Sequence, residues 1–421
     1  MTAKPHLVHL TTTDVSLDWL LSPQLRAFQE DGFEVTTVSA PGSHVEAIES
    51  AGIRHIPLRS LTRRMDPLAD LRAARDLRDL LDQLRPQILH THNPKPGVLG
   101  RLVGHNRGVP VVVNTVHGLY AQPTDSRRRR AAVYAAEAFA LRFSDMELVQ
   151  NIEDMFTLRQ LGARRDKLLH LGNGIDLDRF RTSTATRARA MSMRRSLGIK
   201  PDAVVVGMVA RMVWEKGYRE LFAAIDDLAR AGYDQIEFVI AGPCEPQKSE
   251  AVDADTIARM KAQGVHILGE RRDVENIYAA MDICVLPSHR EGVPRTAMEA
   301  SAMGVPMVAS DIRGNRQVVA DGMTGHLVPV GESRALARAI AQLADARPTR
   351  RAMGDASVRR ARQRFDQNRV IDLTIGVYRS QLQAAGLAGA HSEPEINLRY
   401  NDSISLVDTT ASKSAEASRA A

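Results

Sequence analysis

Asp282-Ile-Cys-Val-Leu-Pro-Ser288 is a short apolar run that ends in a turn, and it is followed by Glu291-Gly-Val-Pro-Arg-Thr-Ala-Met-Glu299 and Pro306-Met-Val-Ala-Ser310. The first and third segments predict buried strands, and the middle one predicts a loop that opens a helix. Pro294 suits the first helical position, where its missing N–H costs nothing. Such a strand–loop–helix–strand unit puts its loop at the carboxyl end of a parallel sheet, where α/β folds bind ligands.

The middle segment carries two glutamates, Glu291 and Glu299, on either side of its Gly-Val-Pro turn. A helix N-terminus offers free backbone N–H groups to a phosphate. A glutamate in the loop can accept hydrogen bonds from sugar hydroxyls, and one inside the helix can accept them from a ribose. Because about one Glu pair at this separation is expected by chance in a chain of this length, the position after a strand is what makes the segment informative.

Predicted strands and helices alternate along the rest of the chain, which is typical of α/β folds. The predicted strands cover residues 7–10, 34–39, 88–92 and 111–116 in the first part, and 204–209, 236–241, 267–269, 282–288, 306–310 and 325–328 in the second. Runs rich in β-branched residues, such as 111–116, indicate strands that are buried on both faces of a parallel sheet. Residues 11–13 are predicted to form a loop.

The length of 421 residues favours two domains rather than one. We predict an N-terminal Rossmann-like domain over 1–175 and a C-terminal one over 176–365. A last helix over 366–385 is expected to cross back to the first domain, and the Ser- and Ala-rich segment 386–421 is expected to be disordered. Residues 173–180 are predicted as a hinge and the polar residues 181–193 as a loose linker.

The composition, with 44% hydrophobic and 25% charged residues, is that of a globular protein. Two cysteines, Cys244 and Cys284, lie in apolar runs that predict burial, so they favour a reducing compartment over a disulfide framework. No apolar run approaches the roughly 20 residues that span a bilayer, and the first apolar segment is too short for a signal peptide. We therefore expect a cytoplasmic protein.

The net charge is +6, with basic runs at Arg127–Arg130 and Arg63-Arg64. These runs form either a solvated surface or a patch that attracts anionic lipid head groups, where each basic residue contributes about 1 kcal/mol. A peripheral location on the inner face of the cell membrane follows from the second alternative. Nucleic-acid binding is disfavoured, because aromatic residues make up only 4% of the chain and no stacking platform is apparent.

Two cations stand at the edge of the second sheet. Arg211 follows the predicted strand 204–209, and Lys216 stands in Trp214-Glu-Lys-Gly217, just before a predicted helix. Together with a helix N-terminus, two cations can neutralise a leaving diphosphate without a metal ion. The alternative interpretation is that Arg211 and Lys216 form ordinary surface ion pairs.

Over residues 5–385 the sequence resembles the retaining glycosyltransferases of family 4. The resemblance rests on four ordered motifs: 207–217, the 291–299 segment, Asn173-Gly-Ile-Asp176, and Thr115-Val-His-Gly118. It implies a GT-B fold, with two doubly wound, parallel-sheet (Rossmann-like) domains that face each other across a cleft. It also implies a retaining hexosyltransferase that is metal-independent and uses a nucleoside-diphosphate sugar as its donor.

The resemblance also implies roles for individual residues. Arg211 and Lys216 would hold the donor diphosphate, and His117 would approach the donor sugar. Glu291 would bind the hydroxyls of the transferred sugar, and Glu299 the ribose. The backbone of the loop that follows Glu291 would also contact the sugar, and three further residues would line the nucleobase pocket. The loop residues are Gly292, Val293, Pro294 and Arg295, and the nucleobase residues are Gly269, Arg271 and Asp273.

The loop after the first strand departs from the family. Many members have a Gly-Gly pair there, whereas this chain has Thr11-Thr-Thr-Asp-Val-Ser16, which hinders a close backbone approach and leaves the acceptor geometry open. Thr13 and Asp14 are acceptor candidates, although Asp14 fits a turn residue equally well. This Thr-rich start, together with His90-Thr-His-Asn-Pro-Lys95 and His117-Gly-Leu-Tyr120, most resembles the branch of the family that extends lipid-linked saccharides for bacterial polysaccharides.

Metal binding is disfavoured. Asp176-Leu-Asp178 and Asp253-Ala-Asp255 both match an Asp-x-Asp signature, but the first belongs to the hinge and the second starts a polar helix. His90 and His92 point to one face of their strand without a nearby carboxylate, so they are interpreted as a polar site wall or as core histidines.

The sequence is compatible with three functions. The first is transfer of a sugar, from a UDP-sugar by preference and a GDP-sugar second, to a lipid-linked saccharide. The second is the same chemistry on a small soluble sugar phosphate or inositol phosphate. The third is a catalytically silent GT-B scaffold, against which the presence of Arg211, Lys216, Glu291 and Glu299 argues.

Overall fold

The computed structural model describes residues 4–62, 66–92, 94–121, 125–244 and 250–387. The chain forms two compact units: Met1–Leu171 together with Ile371–Ala421, and Gly172–Val370. Arg63 and Arg64 of the second basic run, and residues 388–421 of the predicted disordered tail, lie outside the described residues.

The first unit is built on a seven-stranded sheet in which neighbouring strands are parallel. Its strands are β1 (His6–Thr13), β2 (Glu34–Ala40), β3 (Arg54–Pro57), β4 (Ile88–His92), β5 (Val111–Val116), β6 (Met146–Val149) and β7 (Leu168–His170). They lie in the order β3-β2-β1-β4-β5-β6-β7. The predicted run 111–116 is β5, buried along its whole length between two neighbours as the β-branched pattern indicates.

Helices connect these strands and cover the sheet. They are α1 (Asp14–Ser16), α2 (Ser22–Glu30), α3 (Val45–Ser50), α4 (Pro67–Leu84), α5 (Lys95–Asn106), α6 (Arg127–Ala140) and α7 (Ile152–Gln160). A five-residue π-helical turn, Leu17–Leu21, joins α1 to α2. Helix α4 begins at an N-cap, Asp66, whose carboxylate accepts from two backbone N–H groups, and its leucine face packs on β1, β2 and β4.

The second unit contains a six-stranded parallel sheet. Its strands are β8 (Val204–Val209), β9 (Ile236–Ala241), β10 (His266–Ile267), β11 (Ile283–Leu286), β12 (Met307–Ser310) and β13 (Gly325–Val328), in the order β10-β9-β8-β11-β12-β13. The helices are α8 (Thr184–Ser196), α9 (Tyr218–Arg230), α10 (Ala254–Ala262), α11 (Val274–Ala280), α12 (Arg295–Ala302), α13 (Arg313–Val318), α14 (Ser333–Asp345), α15 (Arg347–Arg364) and α16 (Gln367–Ala384). The part of α16 from Ile371 onward belongs to the first unit.

Both sheets have a point at which the strand order reverses. In the first unit the chain moves outward from β1 through β2 to β3 and then returns to the other side of β1 with β4. In the second unit the same reversal occurs between β8 and β11. Doubly wound sheets bind ligands beyond the carboxyl ends of the strands at such switch points, so the loops after β1, β4, β8 and β11 are where a site is expected.

The linker prediction for 181–193 is wrong, because this segment forms most of helix α8. Ser183 and Thr186 form a capping box: the Ser183 side chain accepts from the Thr186 N–H, and the Thr186 hydroxyl accepts from the Ser183 N–H. Alanine, methionine and arginine inside the segment are good helix formers. Arg194 then anchors the helix through the Ala280 carbonyl and Asp282.

Two further predictions are corrected. Residues 11–13 continue β1 instead of forming a loop, with an irregular register between Leu10 and Thr13. Cys284 is buried as expected, but Cys244 is exposed because it lies beyond the end of β9, after the Gly242-Pro243 turn. Among the described residues no helix combines the length and apolarity that crossing a membrane requires.

Candidate functional site

The loop after β11 and the turn before α9 meet at the switch point of the second unit. The Lys216 ammonium lies 2.7 Å from Glu291 Oε1, and the two side chains are 19% and 10% exposed. The Ser288 hydroxyl donates to the same oxygen at 2.8 Å, so neither bond uses Oε2. A largely desolvated ion pair of this kind is stronger than a surface pair, because solvent screens it less.

Gly217 permits the close approach of these two segments. Its φ is 82°, in the left-handed region, and a Cβ atom there would lie 2.1 Å from the Pro287 carbonyl oxygen. Any other residue would both strain the backbone and push the Lys216 turn away from the loop after β11. The positive φ and the close approach to Pro287 explain why the Trp214-Glu-Lys-Gly217 motif ends in glycine.

Three residues of the second unit lie against the segment around Glu291. Asn173 donates its side-chain N–H to the Val293 carbonyl at 3.1 Å. At Gly314, near the start of α13, a Cβ atom would lie 2.6 Å from the Glu291 carbonyl oxygen. Ser310 at the end of β12 donates to the Ser288 carbonyl. Such support fixes the orientation of the Glu291 side chain, which a binding role requires.

Pro294 is one position earlier in the helix than predicted. Helix α12 begins at Arg295, so Pro294 is its N-cap, with φ −72° and ψ 121°, rather than its first helical residue. Pro294 and Val293 are buried, and Gly292 is partly exposed. The Thr296 hydroxyl donates to the Val209 carbonyl at 2.8 Å and ties the start of α12 to the end of β8.

Glu299 lies one turn into α12, where it accepts one hydrogen bond and lies near one cation. The Tyr278 hydroxyl donates to its Oε2 at 2.9 Å, and Arg295 Nε lies 3.7 Å from its Oε1. Burial raises the pKa of Glu299, and the charge of Arg295 opposes that rise. Tyr278 stands on α11 and was not among the predicted residues, because no local motif connects it to Glu299.

Arg211 stands two residues after β8 in a turn that is anchored on both sides. Its carbonyl accepts from the Val213 N–H at 2.8 Å. The neighbouring Ala210 carbonyl accepts from the Tyr218 hydroxyl at 2.9 Å, and a Cβ atom on Gly242 would lie 1.8 Å from that carbonyl oxygen. The turn that carries Arg211 is therefore closely packed against the residues after β9.

The three residues assigned to the nucleobase pocket lie between β10 and α11. Arg271 and Asp273 form a two-pronged ion pair with both N–O distances at 2.8 Å, and their side chains are 41% and 36% exposed. Gly269 has a positive φ of 69°, and its carbonyl accepts from the Gly242 N–H at 2.8 Å. The side chains are accessible, but their charges are already paired with each other.

At the switch point of the first unit, Asp14 is buried and engaged with backbone. Its two carboxylate oxygens accept from the Val15 N–H at 2.9 Å and from the His44 N–H at 2.7 Å. A Cβ atom on Gly42 would lie 2.3 Å from the carboxylate. These contacts favour the turn role for Asp14. Thr13 lies beside Ser16, with 3.4 Å between the hydroxyls.

His117 follows β5 and belongs to a stack of imidazole rings in the first unit. His92 lies between His90 and His117, with ring centroids 4.5 and 5.1 Å away and planes within 27° of parallel. The ring centroid of His9 in β1 lies 5.3 Å from that of His92 and 4.7 Å from that of His90. The sequence singled out His90, His92 and His117. The part played by His9 could have been foreseen only from the strand register, which pairs it with His90.

Burial keeps these four histidines neutral. It lowers the pKa of His9 to about 3 and that of His117 to about 4, and it lowers the pKa of His90 and His92 well below the ordinary value. A neutral imidazole has one N–H donor and one acceptor nitrogen. His117 is therefore uncharged at neutral pH, and its ring forms hydrogen bonds with His92 and the Gln150 side chain.

These pKa values predict a stability loss in mild acid. The unfolded chain takes up protons on the four histidines below about pH 6.5, whereas the folded chain cannot until about pH 4 at His117 and about pH 3 at His9. The unfolding free energy should thus fall with falling pH in this window, by up to about 1.4 kcal/mol per pH unit for each histidine. Thermal unfolding curves measured between pH 7.5 and 5 test this slope, and a flat profile would contradict it.

Comparison with known proteins finds two family models that together cover most of both units. Residues 24–179 match the model described as Glycosyltransferase Family 4, and residues 191–360 match that of the Glycosyl transferases group 1. Neither match depends on the contacts described above.

Characterised relatives are similar over most of their length. A UDP-Gal:alpha-D-GlcNAc-diphosphoundecaprenol alpha-1,3-galactosyltransferase of Escherichia coli is 28% identical, over 68% of this chain and 73% of the relative. A D-inositol 3-phosphate glycosyltransferase of Geodermatophilus obscurus is 30% identical, over 74% of this chain and 70% of the relative.

Solved structures share the fold. A sucrose-phosphate synthase from Thermosynechococcus elongatus aligns with a TM-score of 0.76 at 21% identity, over 90% of this chain and all of the other. HepE from Anabaena, in complex with UDP and glucose, aligns with a TM-score of 0.71 at 19% identity, over 89% of this chain and all of the other. At these identities the likeness establishes the two-sheet architecture alone.

Proposed function

Because the chain belongs to family 4 of the glycosyltransferases, which have the GT-B fold, we propose that it transfers a hexose from a UDP-sugar to a hydroxyl of a lipid-linked saccharide and retains the anomeric configuration. The observation that carries this proposal is the Lys216–Glu291 pair at the switch point of the second sheet. It combines a cation for a phosphate with a carboxylate for sugar hydroxyls.

Each residue of the second unit has a role in this proposal. Arg211 and Lys216 bind the donor diphosphate, and Glu291 accepts hydrogen bonds from the sugar. Glu299 accepts hydrogen bonds from the ribose. The backbone from Gly292 to Arg295 lines the sugar site, because it connects Glu291 to the first turn of α12. Arg271, Asp273 and the backbone of Gly269 are assigned to the nucleobase.

The chemistry requires no protein nucleophile. A bond forms between the acceptor oxygen and the anomeric carbon, while the bond from that carbon to the diphosphate oxygen breaks. The acceptor's proton passes to the departing diphosphate on the same face of the sugar, which preserves the configuration. Lys216 and Arg211 stabilise the negative charge that develops on the diphosphate, so the proposed reaction needs no metal ion.

The donor and acceptor classes rest on the relatives. The galactosyltransferase of E. coli is named for UDP-Gal and a diphosphoundecaprenol acceptor, and HepE was solved with UDP. A lipid-linked acceptor also agrees with a peripheral position at the membrane, to which Arg127, Arg128 and Arg129 at the exposed start of α6 would contribute. The G. obscurus relative supports a second candidate acceptor, an inositol phosphate.

Nucleotide binding tests the proposal. Thermal shifts would be recorded with UDP, GDP, ADP and dTDP for the wild type, Glu299→Ala and the control Glu332→Ala, which removes an exposed glutamate. A nucleotide at a hundred times its dissociation constant stabilises the folded state by about 2.7 kcal/mol. We expect a shift with UDP that Glu332→Ala keeps and Glu299→Ala loses. A protein that none of the four nucleotides stabilises would not be a transferase of this kind.

A further inference from the structure

Seven side chains of the first unit form an unbroken sequence of hydrogen bonds, which we call the histidine chain. Its members, in order of contact, are Gln150, His117, His92, His9, Tyr378, His90 and Thr115. They come from β1, β4 and β5, from the residues directly after β5 and β6, and from α16. Of these groups only His117 has an assigned role, at the donor sugar, which the resemblance to family 4 implies.

The bonds at the centre connect unlike ring nitrogens. His117 Nε2 lies 2.9 Å from His92 Nδ1, and His92 Nε2 lies 3.1 Å from His9 Nδ1. His9 Nε2 lies 3.3 Å from the Tyr378 hydroxyl, which also bonds His90 Nδ1.

The two ends of the chain are polar and uncharged. His90 Nε2 lies 2.7 Å from the Thr115 hydroxyl, which can donate or accept. At the other end His117 forms a hydrogen bond with the Gln150 side chain, an amide that can also do either.

Counting protons restricts how this chain can be arranged. A neutral imidazole has one N–H, and each hydrogen bond needs one donor. If His117 carries its proton on Nε2, it donates to His92 Nδ1, and His92 must then carry its own proton on Nε2. The same step repeats at His9, whose Nε2–H donates to the Tyr378 oxygen. Because Tyr378 is fully buried, its O–H donates to its other ring partner, His90 Nδ1, and the His90 proton is then on Nε2. The opposite arrangement places every proton on Nδ1.

We propose that the four imidazoles share one tautomer, and that His92, His9, Tyr378 and His90 act as positioning residues that fix the tautomer and ring orientation of His117. Tyr378 is the connection through which α16 takes part, since its hydroxyl joins His9 to His90. The functional side of this inference rests on the proposed function, because His117 is assigned to the donor sugar. The tautomer itself can be measured without any substrate.

A metal ion is the competing interpretation of this cluster. His9, His90 and His92 could supply three nitrogens within 4.8 Å of one another. Every ring nitrogen of these three residues already has a hydrogen-bond partner, however, and His90 and His92 lie face to face, 20° from parallel. This group of three imidazoles also brings no carboxylate to offset the charge of a buried dication.

Nitrogen NMR of the full-length protein with 15N-labelled histidine distinguishes these interpretations. The chemical shifts of Nδ1 and Nε2 in each ring show which of the two nitrogens carries the proton. We expect one common tautomer for the four histidines of the wild type. Tyr378→Phe keeps the ring that packs against Phe28 and Phe33 but removes the connecting hydroxyl, so at least one of the four should change tautomer or become a mixture. The matched control is Tyr233→Phe, which removes a hydroxyl bonded to Asp345 in the other unit and should change none of them.

Three outcomes would overturn the inference. They are different tautomers among the four wild-type rings, unchanged tautomers in Tyr378→Phe, and a stoichiometric metal ion in the purified protein. None of these measurements depends on turnover, so failure of the shared tautomer is separable from failure of the proposed transferase. If the tautomers agree but no nucleotide binds, the chain of hydrogen bonds stands and the role of His117 does not.

Discussion

Replacing Lys216 by alanine is expected to lower turnover by about a hundredfold or more, the scale observed when one charge-stabilising group is removed from an active site. The ammonium of Lys216 lies 2.7 Å from Glu291, and both side chains are largely shielded from water. In the proposed reaction this cation meets the diphosphate as negative charge develops on it. Removing it also leaves the Glu291 carboxylate with Ser288 as its remaining described donor at Oε1.

The division of this effect between kinetic constants is informative. If Lys216 acts mainly on the leaving diphosphate in the transition state, the loss should appear in kcat rather than in the KM for the donor. Arg211→Ala should behave in the same way. Lys261→Ala is a suitable control, because it removes an exposed lysine from α10. Wild-type turnover in both Lys216→Ala and Arg211→Ala would exclude the roles assigned to them.

Replacing Arg101 by leucine is expected to destabilise the first unit by about 3 to 5 kcal/mol, the cost of breaking a buried ion pair from one side. Arg101 is fully buried on α5 and bonds Glu147 of β6 at 2.6 Å and Glu137 of α6 at 2.8 Å. Leucine would leave two buried carboxylates without their shared cation. Chemical or thermal unfolding, followed by circular dichroism, measures the loss.

A pH series identifies the cause of this destabilisation. Burial raises the pKa of Glu147, so the folded state already favours the protonated carboxyl more than the unfolded chain does. A group whose pKa is raised in the folded state contributes less to the unfolding free energy as the pH rises. The loss of unfolding free energy caused by Arg101→Leu should therefore be largest near neutral pH and smaller in mild acid.

The matched control for this substitution lies at the end of the same helix. Arg107 pairs with Asp82 at 2.7 Å, but the two side chains are 41% and 42% exposed. Arg107→Leu should change stability by no more than about 0.5 kcal/mol, because solvent screens an exposed pair. Equal effects of Arg101→Leu and Arg107→Leu would mean that the buried network contributes no more to the unfolding free energy than an exposed ion pair does.

Local patterns were sufficient to predict the α/β class and several strands with the correct bounds. The runs at 88–92, 111–116, 204–209 and 236–241 coincide with β4, β5, β8 and β9. Each is short, rich in β-branched or aliphatic residues and bounded by turn residues, a pattern that favours a buried strand of a parallel sheet. Helix α8 was missed because its polar, arginine-rich composition was interpreted as a linker, although the sequence contains the capping box of Ser183 and Thr186.

The candidate site could be predicted only in part. Lys216 and Glu291 are 75 residues apart in sequence and 2.7 Å apart in space, and their meeting could be expected because both follow strands of one sheet. Tyr278 and Tyr378 could not be found, because each reaches its partner from a helix whose position depends on packing. The role of Gly314 could not be predicted either, because only the structure shows that a Cβ atom there would collide with the Glu291 carbonyl.

Direct detection of glycosyl transfer tests the central proposal. The wild-type protein would be incubated with UDP-hexoses and a diphosphoundecaprenol-linked saccharide in the presence of a chelator, and the product would be examined by mass spectrometry and NMR. We predict release of UDP, a product heavier by one hexose, and an anomeric configuration equal to that of the donor. In Lys216→Ala the rates of UDP release and product formation should fall by about a hundredfold or more. Inversion of the configuration, or no UDP release from any hexose donor with either this acceptor or an inositol phosphate, would contradict the proposal.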